Sequence, residues 1–186
     1  MKVSGWATVG WIVGGAAWIA TSLVGLPAAD RTSGFYAAET AWLVVHLLIL
    51  LGLVGLVRSD AVGDLGWGAR GFLVAIGGRM IFLVAEVASI VVGHDDLFVF
   101  PPAVVLTAVG MIVGGLAVVR AGRWKGALRF APLAMGVFPF LAIFPILAAT
   151  GERPPDMILA CWGGTMLAVG LAMASLTKVE PSVPRI

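Results

Sequence analysis

The sequence predicts an all-α membrane protein, a bundle of six transmembrane helices, and three observations support this fold class. Of the 186 residues, 60% are hydrophobic and only 12% are charged, and the mean hydropathy is +1.05, far outside the range of soluble domains. Six stretches approach or exceed the roughly 20 apolar residues that a helix needs to cross a bilayer. These stretches are rich in Gly and Ala without alternating polarity, which favours a helical bundle over a barrel.

The six predicted spans form one integral membrane domain that covers residues 1–186. They are Gly5–Leu26, Ala41–Val57, Ala69–Gly93, Leu97–Val119, Phe130–Ala149 and Met157–Leu176. The first span is longer than the apolar part of a signal peptide, so we expect it to be retained. Because little chain is left for a soluble domain, we expect the function to reside in the bundle or its short loops.

The distribution of basic residues predicts the orientation. With the N-terminus inside, the outer segments hold only Arg31 and Arg153, and all other Lys and Arg residues outside the spans fall on the inner side. By the positive-inside rule, both termini are expected in the cytoplasm, with the chain in the cell (inner or plasma) membrane. The basic inner face would also attract anionic lipid headgroups, so the expected partner is the lipid bilayer and not nucleic acid.

Two pairs of segments repeat in order along the chain. Val9–Ile19 reads VGWIVGGAAWI and Val109–Val119 reads VGMIVGGLAVV, while GGRMIFLVAEVAS at Gly77–Ser89 is loosely echoed by GGTMLAVGLAMAS at Gly163–Ser175. The pairs align span one with span four and span three with span six, which is the 3+3 inverted repeat of several transporter folds. The alternative is a chance match, because membrane helices draw on few residue types.

Small residues follow one face of spans one and four. Such faces let helix backbones approach closely, because lipid offers no hydrophobic drive for helix association. We predict two packing seams, used either within one chain or across a dimer. Their members are Gly10, Gly14, Ala17 and Thr21 on span one, and Ala103, Thr107, Gly110, Gly114, Ala117 and Ala121 on span four.

The fifth span is predicted to be kinked by prolines. Pro139 and Pro145 each remove an interior hydrogen bond, which frees the carbonyl groups near Met135 and Leu141. Pro139 lies at the depth of Arg79, so we expect the carbonyl groups that it frees to accept hydrogen bonds from the guanidinium.

Charged residues inside the third span are the strongest functional signal. Arg79, Glu86 and Ser89 share one helical face, and His46 on the second span lies at a depth similar to that of Glu86. On insertion scales, a charged side chain such as Arg79 or Glu86 costs about 3 kcal/mol at membrane depth. Both side chains should therefore face the interior of the bundle and find partners. We predict a ligand-binding site made of Arg79, Glu86, His46, Ser89, Thr165, Thr21, Trp42 and Pro139, with Glu86 and His46 as the catalytic or proton-transferring groups.

The leading function for this layer is the binding or translocation of a small solute, linked to protons. Glu86 would carry the proton, His46 would relay it, and Arg79 would be the partner of an anion or counter-ion. The small size of the chain favours a homo-oligomer or a partner subunit.

Two other functions remain open. The chain is alternatively a membrane-embedded enzyme that acts on a lipid or isoprenoid by acid–base chemistry, as a cyclase or isomerase does. In that case the apolar pocket would be lined by Trp18, Trp42, Phe138 and Phe144. The third function is a structural or accessory subunit, in which the charges only fix the register of the helices.

No metal or cofactor is expected. The chain has only two histidines, His46 and His94, and one cysteine, Cys161, and it lacks the DxxD, GxSxG, HExxH and P-loop signatures. The HDD segment at His94–Asp96 is best interpreted as a solvated cap before the next helix. A haem between spans two and three is the weakest alternative.

Overall fold

The computed structural model describes residues 5–25, 30–94 and 100–177, and this part of the chain is helical without β-strands. The helices are α1 (Gly5–Val24), α2 (Ser33–Arg58), α3 (Gly66–Val92), α4 (Phe100–Ala121), α5 (Ala131–Phe138), α6 (Phe144–Thr150) and α7 (Asp156–Thr177). The fifth span, Ala127–Thr150, combines a 3₁₀ turn, α5, a π-helical segment and α6. The described residues therefore contain six helices long and apolar enough to cross a membrane, which confirms the predicted helical fold class.

The helices form a closed ring in chain order. Helix α1 packs against α2, α2 against α3, α3 against α4, and α4 against α5. Helix α5 packs against α7, and α7 closes the ring on α1. The most extensive contacts join α3 to α4 and α1 to α7. Side chains that point toward the middle of the ring can therefore meet, whichever span carries them.

Rows of small residues bring α3 and α4 into backbone contact. A Cβ atom built on Gly110 would lie 2.3 Å from the backbone nitrogen of Ala75, and one on Gly78 would lie 2.5 Å from that of Thr107. The row on α3 consists of Gly68, Gly71, Ala75 and Gly78, and the facing row on α4 consists of Ala103, Thr107, Gly110, Gly114 and Ala117. The predicted seam on the fourth span is thus used within the chain.

The first-span seam packs against α2 in the same way. A Cβ atom on Gly10 would lie 2.7 Å from the carbonyl oxygen of Leu48, and one on Gly14 would lie 2.8 Å from the side chain of Ile49. Such contacts leave no room for a methyl group. This seam also lies within the chain.

The matching glycines of the two similar segments have different neighbours. Gly10 and Gly14 face α2, whereas Gly110 and Gly114 face α3. A 3+3 repeat pairs α2 with the fifth span, so it would require Gly110 and Gly114 to face the fifth span. In addition, the spans follow one another around the ring, and neighbouring spans run in opposite directions. The first three spans and the last three spans therefore have opposite handedness, and no rotation superposes one half on the other. The packing therefore gives the inverted repeat no support.

The second helix begins eight residues before the predicted span. Its first residue is Ser33 rather than Ala41, and the side chain of Thr32 caps the helix by accepting a hydrogen bond from the backbone N–H of Phe35. Glu39, which the sequence analysis left outside the spans, is consequently a helical residue and only 7% exposed. The apolar stretch alone missed this start, because the first turns of α2 carry polar residues.

Two loops cover one end of the ring, called here the Arg58 end because α2 ends there. Val62, between α2 and α3, and Trp124, between α4 and the fifth span, are buried in one apolar core. Arg123 and Asp60 form an ion pair between the same two loops. The loops therefore close this end of the bundle.

The opposite end is called here the Gly93 end. Gly93 ends α3 with a left-handed backbone (φ 82°), a conformation that favours glycine. Its carbonyl oxygen accepts a 3.0 Å hydrogen bond from the backbone N–H of Arg31. This bond holds the end of α3 level with the start of α2. Predicted span one ends at Leu26, and predicted span four begins at Leu97. Both residues lie outside the described residues, in the segments 26–29 and 95–99.

Adjacent glycines on α3 provide a test of the seam. Gly78→Ala should lower the free energy of unfolding by about 1–3 kcal/mol, because the new methyl group meets the backbone of α4. Gly77→Ala should be neutral or stabilising by up to about 1 kcal/mol, since nothing lies within 4 Å of its Cβ position. Equilibrium unfolding in mixed detergent micelles measures both changes, and similar effects of the two would contradict the packing described.

Candidate functional site

Arg79, His46 and Glu86 form a buried chain of polar contacts between α2 and α3. Arg79 Nη1 lies 2.9 Å from His46 Nδ1, and His46 Nε2 lies 3.3 Å from Glu86 Oε1. Their exposed fractions are 0%, 2% and 3%, respectively. The structure thus brings together the three residues that the sequence analysis placed in one polar layer.

The contacts of His46 determine its tautomer. A guanidinium has only donors, so Arg79 Nη1 donates and His46 Nδ1 accepts. The imidazole is then neutral with its proton on Nε2, which points at the Glu86 carboxylate. With Arg79 positive and Glu86 negative, the three groups carry no net charge, which is the arrangement that a low-dielectric interior favours.

Aromatic rings enclose the guanidinium. Arg79 Cζ lies 5.1 Å from the ring centroid of Phe82, 5.2 Å from that of Trp18 and 5.3 Å from that of Trp162. Phe82 also stacks on His46, with centroids 4.5 Å apart. Cation–π contacts in a desolvated site are each worth up to about 2 kcal/mol, so the three rings offset part of the cost of burying the charge.

One edge of the guanidinium has no hydrogen-bond partner in the described part of the chain. The unpartnered atoms are Nε and Nη2 of Arg79. Their N–H groups point in the same direction, and this is an edge with which arginine binds a carboxylate through two parallel hydrogen bonds. A buried donor left unpaired costs about 1–3 kcal/mol, so an acceptor that met this edge would be stabilising.

Pro139 acts on the site through Trp162 and not through Arg79. The missing N–H of Pro139 frees the carbonyl of Met135, as predicted, but this carbonyl accepts a 3.0 Å hydrogen bond from Trp162 Nε1. The expectation that it accepts from the guanidinium is therefore wrong. The indole of Trp162 lies between the two groups and shields the charge with its ring.

Where the sequence predicts a kink, the fifth span contains a π-helical segment, Pro139–Ile143. The backbone N–H of Phe144 bonds to the carbonyl of Pro139, five residues earlier. This wider turn accommodates the proline rings without breaking the span.

Trp18 and Trp42 are the other tryptophans of the aromatic cluster around Arg79 and His46. Trp18 Nε1 donates a 2.9 Å hydrogen bond to the carbonyl of Leu159 on α7, and its ring packs edge-on against Trp162, with centroids 5.0 Å apart. Trp42 is half-buried and packs edge-on against Trp18 at 5.0 Å and near His46 at 6.3 Å. Trp42 is one helical turn from His46 toward the Gly93 end, so it covers the cluster on that side.

A second buried carboxyl lies at the depth of Glu86. Glu39 follows Arg31 by eight residues, and Glu86 precedes Gly93 by seven. Because Arg31 and Gly93 are hydrogen-bonded, the two carboxyl groups lie at a similar level on adjacent helices.

The other predicted site residues are less closely involved. Ser89 is buried on α3 beyond Glu86, at 4% exposure. Thr165 donates its hydroxyl to the carbonyl of Trp162 on its own helix, at 2.6 Å. Thr21 is half-buried, and its neighbour Ser22 is fully buried instead, with no partner for its hydroxyl among the described residues.

Of the four residues weighed for an apolar pocket, Trp18 and Trp42 lie at this site. Phe138 is partly buried against the core, whereas Phe144 packs on Phe140. His94 is exposed, and Asp95 and Asp96 lie outside the described residues. Within the described ranges, no three His, Cys, Asp or Glu residues are grouped so that they could hold a metal ion.

Sequence reasoning missed Trp162 and Phe82, which lie against the guanidinium, and it left the buried Glu39 outside the spans. The signal for Glu39 was present, because Glu39, Trp42 and His46 are spaced by three and four residues and share one helical face. Trp162 gave no comparable signal, since a tryptophan in a membrane helix is more often an anchor at the interface.

The chain was compared with protein-family models, with curated proteins and with solved structures, and no match was found. The candidate site is therefore defined by its geometry alone.

The link from Pro139 to Trp162 is testable. Trp162→Phe keeps a ring beside Arg79 but leaves the Met135 carbonyl without a donor, so the free energy of unfolding should fall by about 1–3 kcal/mol. In a Pro139→Ala background, the restored backbone N–H supplies a donor, and the same change should cost less than about 1 kcal/mol.

The matched control is Trp67→Phe, because Trp67 is 41% exposed. This substitution should change the free energy of unfolding by no more than about 0.5 kcal/mol. Equal losses for Trp162→Phe in both backgrounds would contradict the proposed link.

Proposed function

We propose that the protein binds or translocates a small solute at the site formed by Arg79, His46 and Glu86, in a cycle linked to protons. The observation that carries this proposal is the free edge of Arg79, a fully buried cation with two N–H groups unpartnered among the described residues. A purely structural charge would be expected to have its donors satisfied. A solute oxygen is the partner that this edge fits.

Glu86 is the proposed proton carrier and His46 its relay. The imidazole touches both Arg79 and Glu86, so a change in the protonation of Glu86 reaches the guanidinium through one ring. Glu39, a second buried acid, lies at a similar level on α2.

We further propose that the Arg58 end faces the cytoplasm of a cell (inner or plasma) membrane, with both termini inside. The support is the positive-inside rule, because Arg58, Arg70, Arg120 and Arg123 all lie near this end. The Gly93 end then faces outward, and the solute enters past Trp42. The lipid bilayer surrounds the ring, and a second copy or a partner subunit completes the working assembly.

An acid–base enzyme acting on a lipid or isoprenoid remains the alternative, but two observations weigh against it. Both nitrogens of His46 are engaged, one by Arg79 and one by Glu86, so neither is free to accept a proton from a substrate. Trp18, one of the rings that would stabilise a developing substrate cation, instead lies against the guanidinium of Arg79.

A structural role is favoured by a different observation, the electroneutrality of the buried group. Arg79, neutral His46 and Glu86 compensate one another without any ligand. On this alternative, the site fixes the register of α2 against α3 and has no further task.

Co-purification tests the proposed function. Protein in mild detergent should carry a water-soluble small molecule, detected by mass spectrometry, and Arg79→Lys should lose it because an ammonium lacks the free edge of the guanidinium. Arg153→Lys alters an exposed arginine and should retain the molecule. A prenyl or lipid-like molecule would instead favour the enzyme, and a preparation with no bound molecule would favour the structural role.

A double substitution separates binding from structure. Arg79→Met and Glu86→Met should each lower the free energy of unfolding by about 3–5 kcal/mol, because each leaves a buried charge uncompensated. Combining them should be less destabilising than either single change, because no buried charge is then left uncompensated. On our proposal the double variant regains stability but binds no solute. Restored stability together with undiminished cellular function would establish the structural role instead.

A further inference from the structure

We infer that the solute is a monocarboxylic acid with an apolar body, bound as its anion on the Nε and Nη2 edge of Arg79 together with one proton taken up by the protein. This inference rests on the proposed function and specifies its substrate class. It combines the geometry of the free edge, the rings that surround it and the charge balance of the site.

The free edge selects a planar, bidentate acceptor. Nε and Nη2 of Arg79 present two parallel N–H groups, which match the two oxygens of one carboxylate. The third nitrogen, Nη1, is already bonded to His46 and holds the guanidinium in place. A neutral amide offers only one acceptor oxygen and would leave one of the two donors unpaired.

The surroundings of this edge select an apolar body. The rings of Trp18, Trp162 and Phe82 lie around the guanidinium, and half-buried Trp42 lies on the side of the Gly93 end. Ser22 adds one buried hydroxyl without a partner among the described residues, one helical turn beyond Trp18. An aliphatic or aromatic tail suits these rings, whereas a sugar or a polyol would lose most of its hydrogen bonds here.

Charge balance requires the proton. Arg79, neutral His46 and Glu86 already sum to zero, so a bound monoanion would make the buried site negative. One proton on Glu86 restores neutrality, because the positive charge of Arg79 then balances the negative charge of the bound anion. Binding of the anion and binding of the proton therefore favour each other, and a dianion such as a phosphate ester would need two protons.

The groups that could take the proton are few. On α2 and α3 they are Glu39, His46 and Glu86, all buried. The sequence of α1 has no ionisable side chain, and neither does the fifth span between 131 and 150. On α4 only Arg120 is ionisable, in the last turn, and on α7 only Asp156, in the first turn, and exposed Cys161. Glu86 is the acid that contacts His46, so the proton is assigned to it.

Calorimetric titration of the full chain in mild detergent tests the inference. The probes are acetate, benzoate and decanoate, each paired with its neutral amide. At least one carboxylate should bind at least about tenfold more tightly than its amide. Titrations in two buffers of different ionisation enthalpy should show one proton taken up per anion, and the Kd should rise about tenfold per pH unit while Glu86 is ionised in the free protein.

Variants of Arg79 and Glu86 test their separate roles, which are anion binding and proton uptake. Glu86→Gln should still bind the carboxylate but without proton uptake and without the pH dependence. Arg79→Lys should bind it at least about tenfold more weakly, because an ammonium cannot offer the parallel pair of donors. Glu152→Gln should behave as the native chain, and thermal unfolding of each variant shows that it is folded.

Three results would overturn the inference: no carboxylate binding up to about 10 mM, amides bound as tightly as acids, or binding without proton uptake. These results differ from a failure of the proposed function. If the native chain co-purifies with a neutral solute that Arg79→Lys loses, the binding function stands and only the carboxylate inference falls. If no probe binds and no molecule co-purifies, both fall.

Discussion

The burial of one positive charge is the constraint on which the rest of this structure depends. Arg79 is fully buried inside a ring of apolar helices, where neither water nor lipid headgroups can compensate its charge. The protein compensates it with one hydrogen bond that Arg79 donates to a neutral imidazole, a carboxylate beyond that imidazole, and three aromatic faces. These groups come from four of the six spans, so the charge organises nearly the whole ring.

The close packing of the helices serves the same purpose. Small residues let α4 approach α3 and let α1 approach α2 until their backbones touch, which brings the aromatic rings within reach of the guanidinium. Two indole N–H groups then fix the rings, from Trp18 to α7 and from Trp162 to α5. The second bond exists because Pro139 leaves a carbonyl without its helical donor. A proline in the fifth span thus positions a ring that shields a charge in the third.

The same arrangement explains how a site that stabilises the helix packing could also bind a ligand. The compensation is complete in charge but incomplete in hydrogen bonds, because one edge of Arg79 lacks a partner in the described chain. The Arg58 end is closed by its loops, whereas the Gly93 end carries buried Glu39 and half-buried Trp42 next to the site. An anion that reached the free edge from the Gly93 end would disturb a balanced group, and a proton would restore it.

The sequence by itself determined the six membrane-length helices, the small-residue seam of the fourth span and the polar face of Arg79, Glu86 and Ser89. These features follow from hydropathy and helical spacing, which are local properties. The tertiary structure alone decided which residues complete the site. Trp162 joined it, and the free carbonyl of Met135 accepts a hydrogen bond from the Trp162 indole instead of from a guanidinium. Contacts of this kind depend on how distant helices rotate and approach, and a spacing pattern within one helix contains no information about its neighbours.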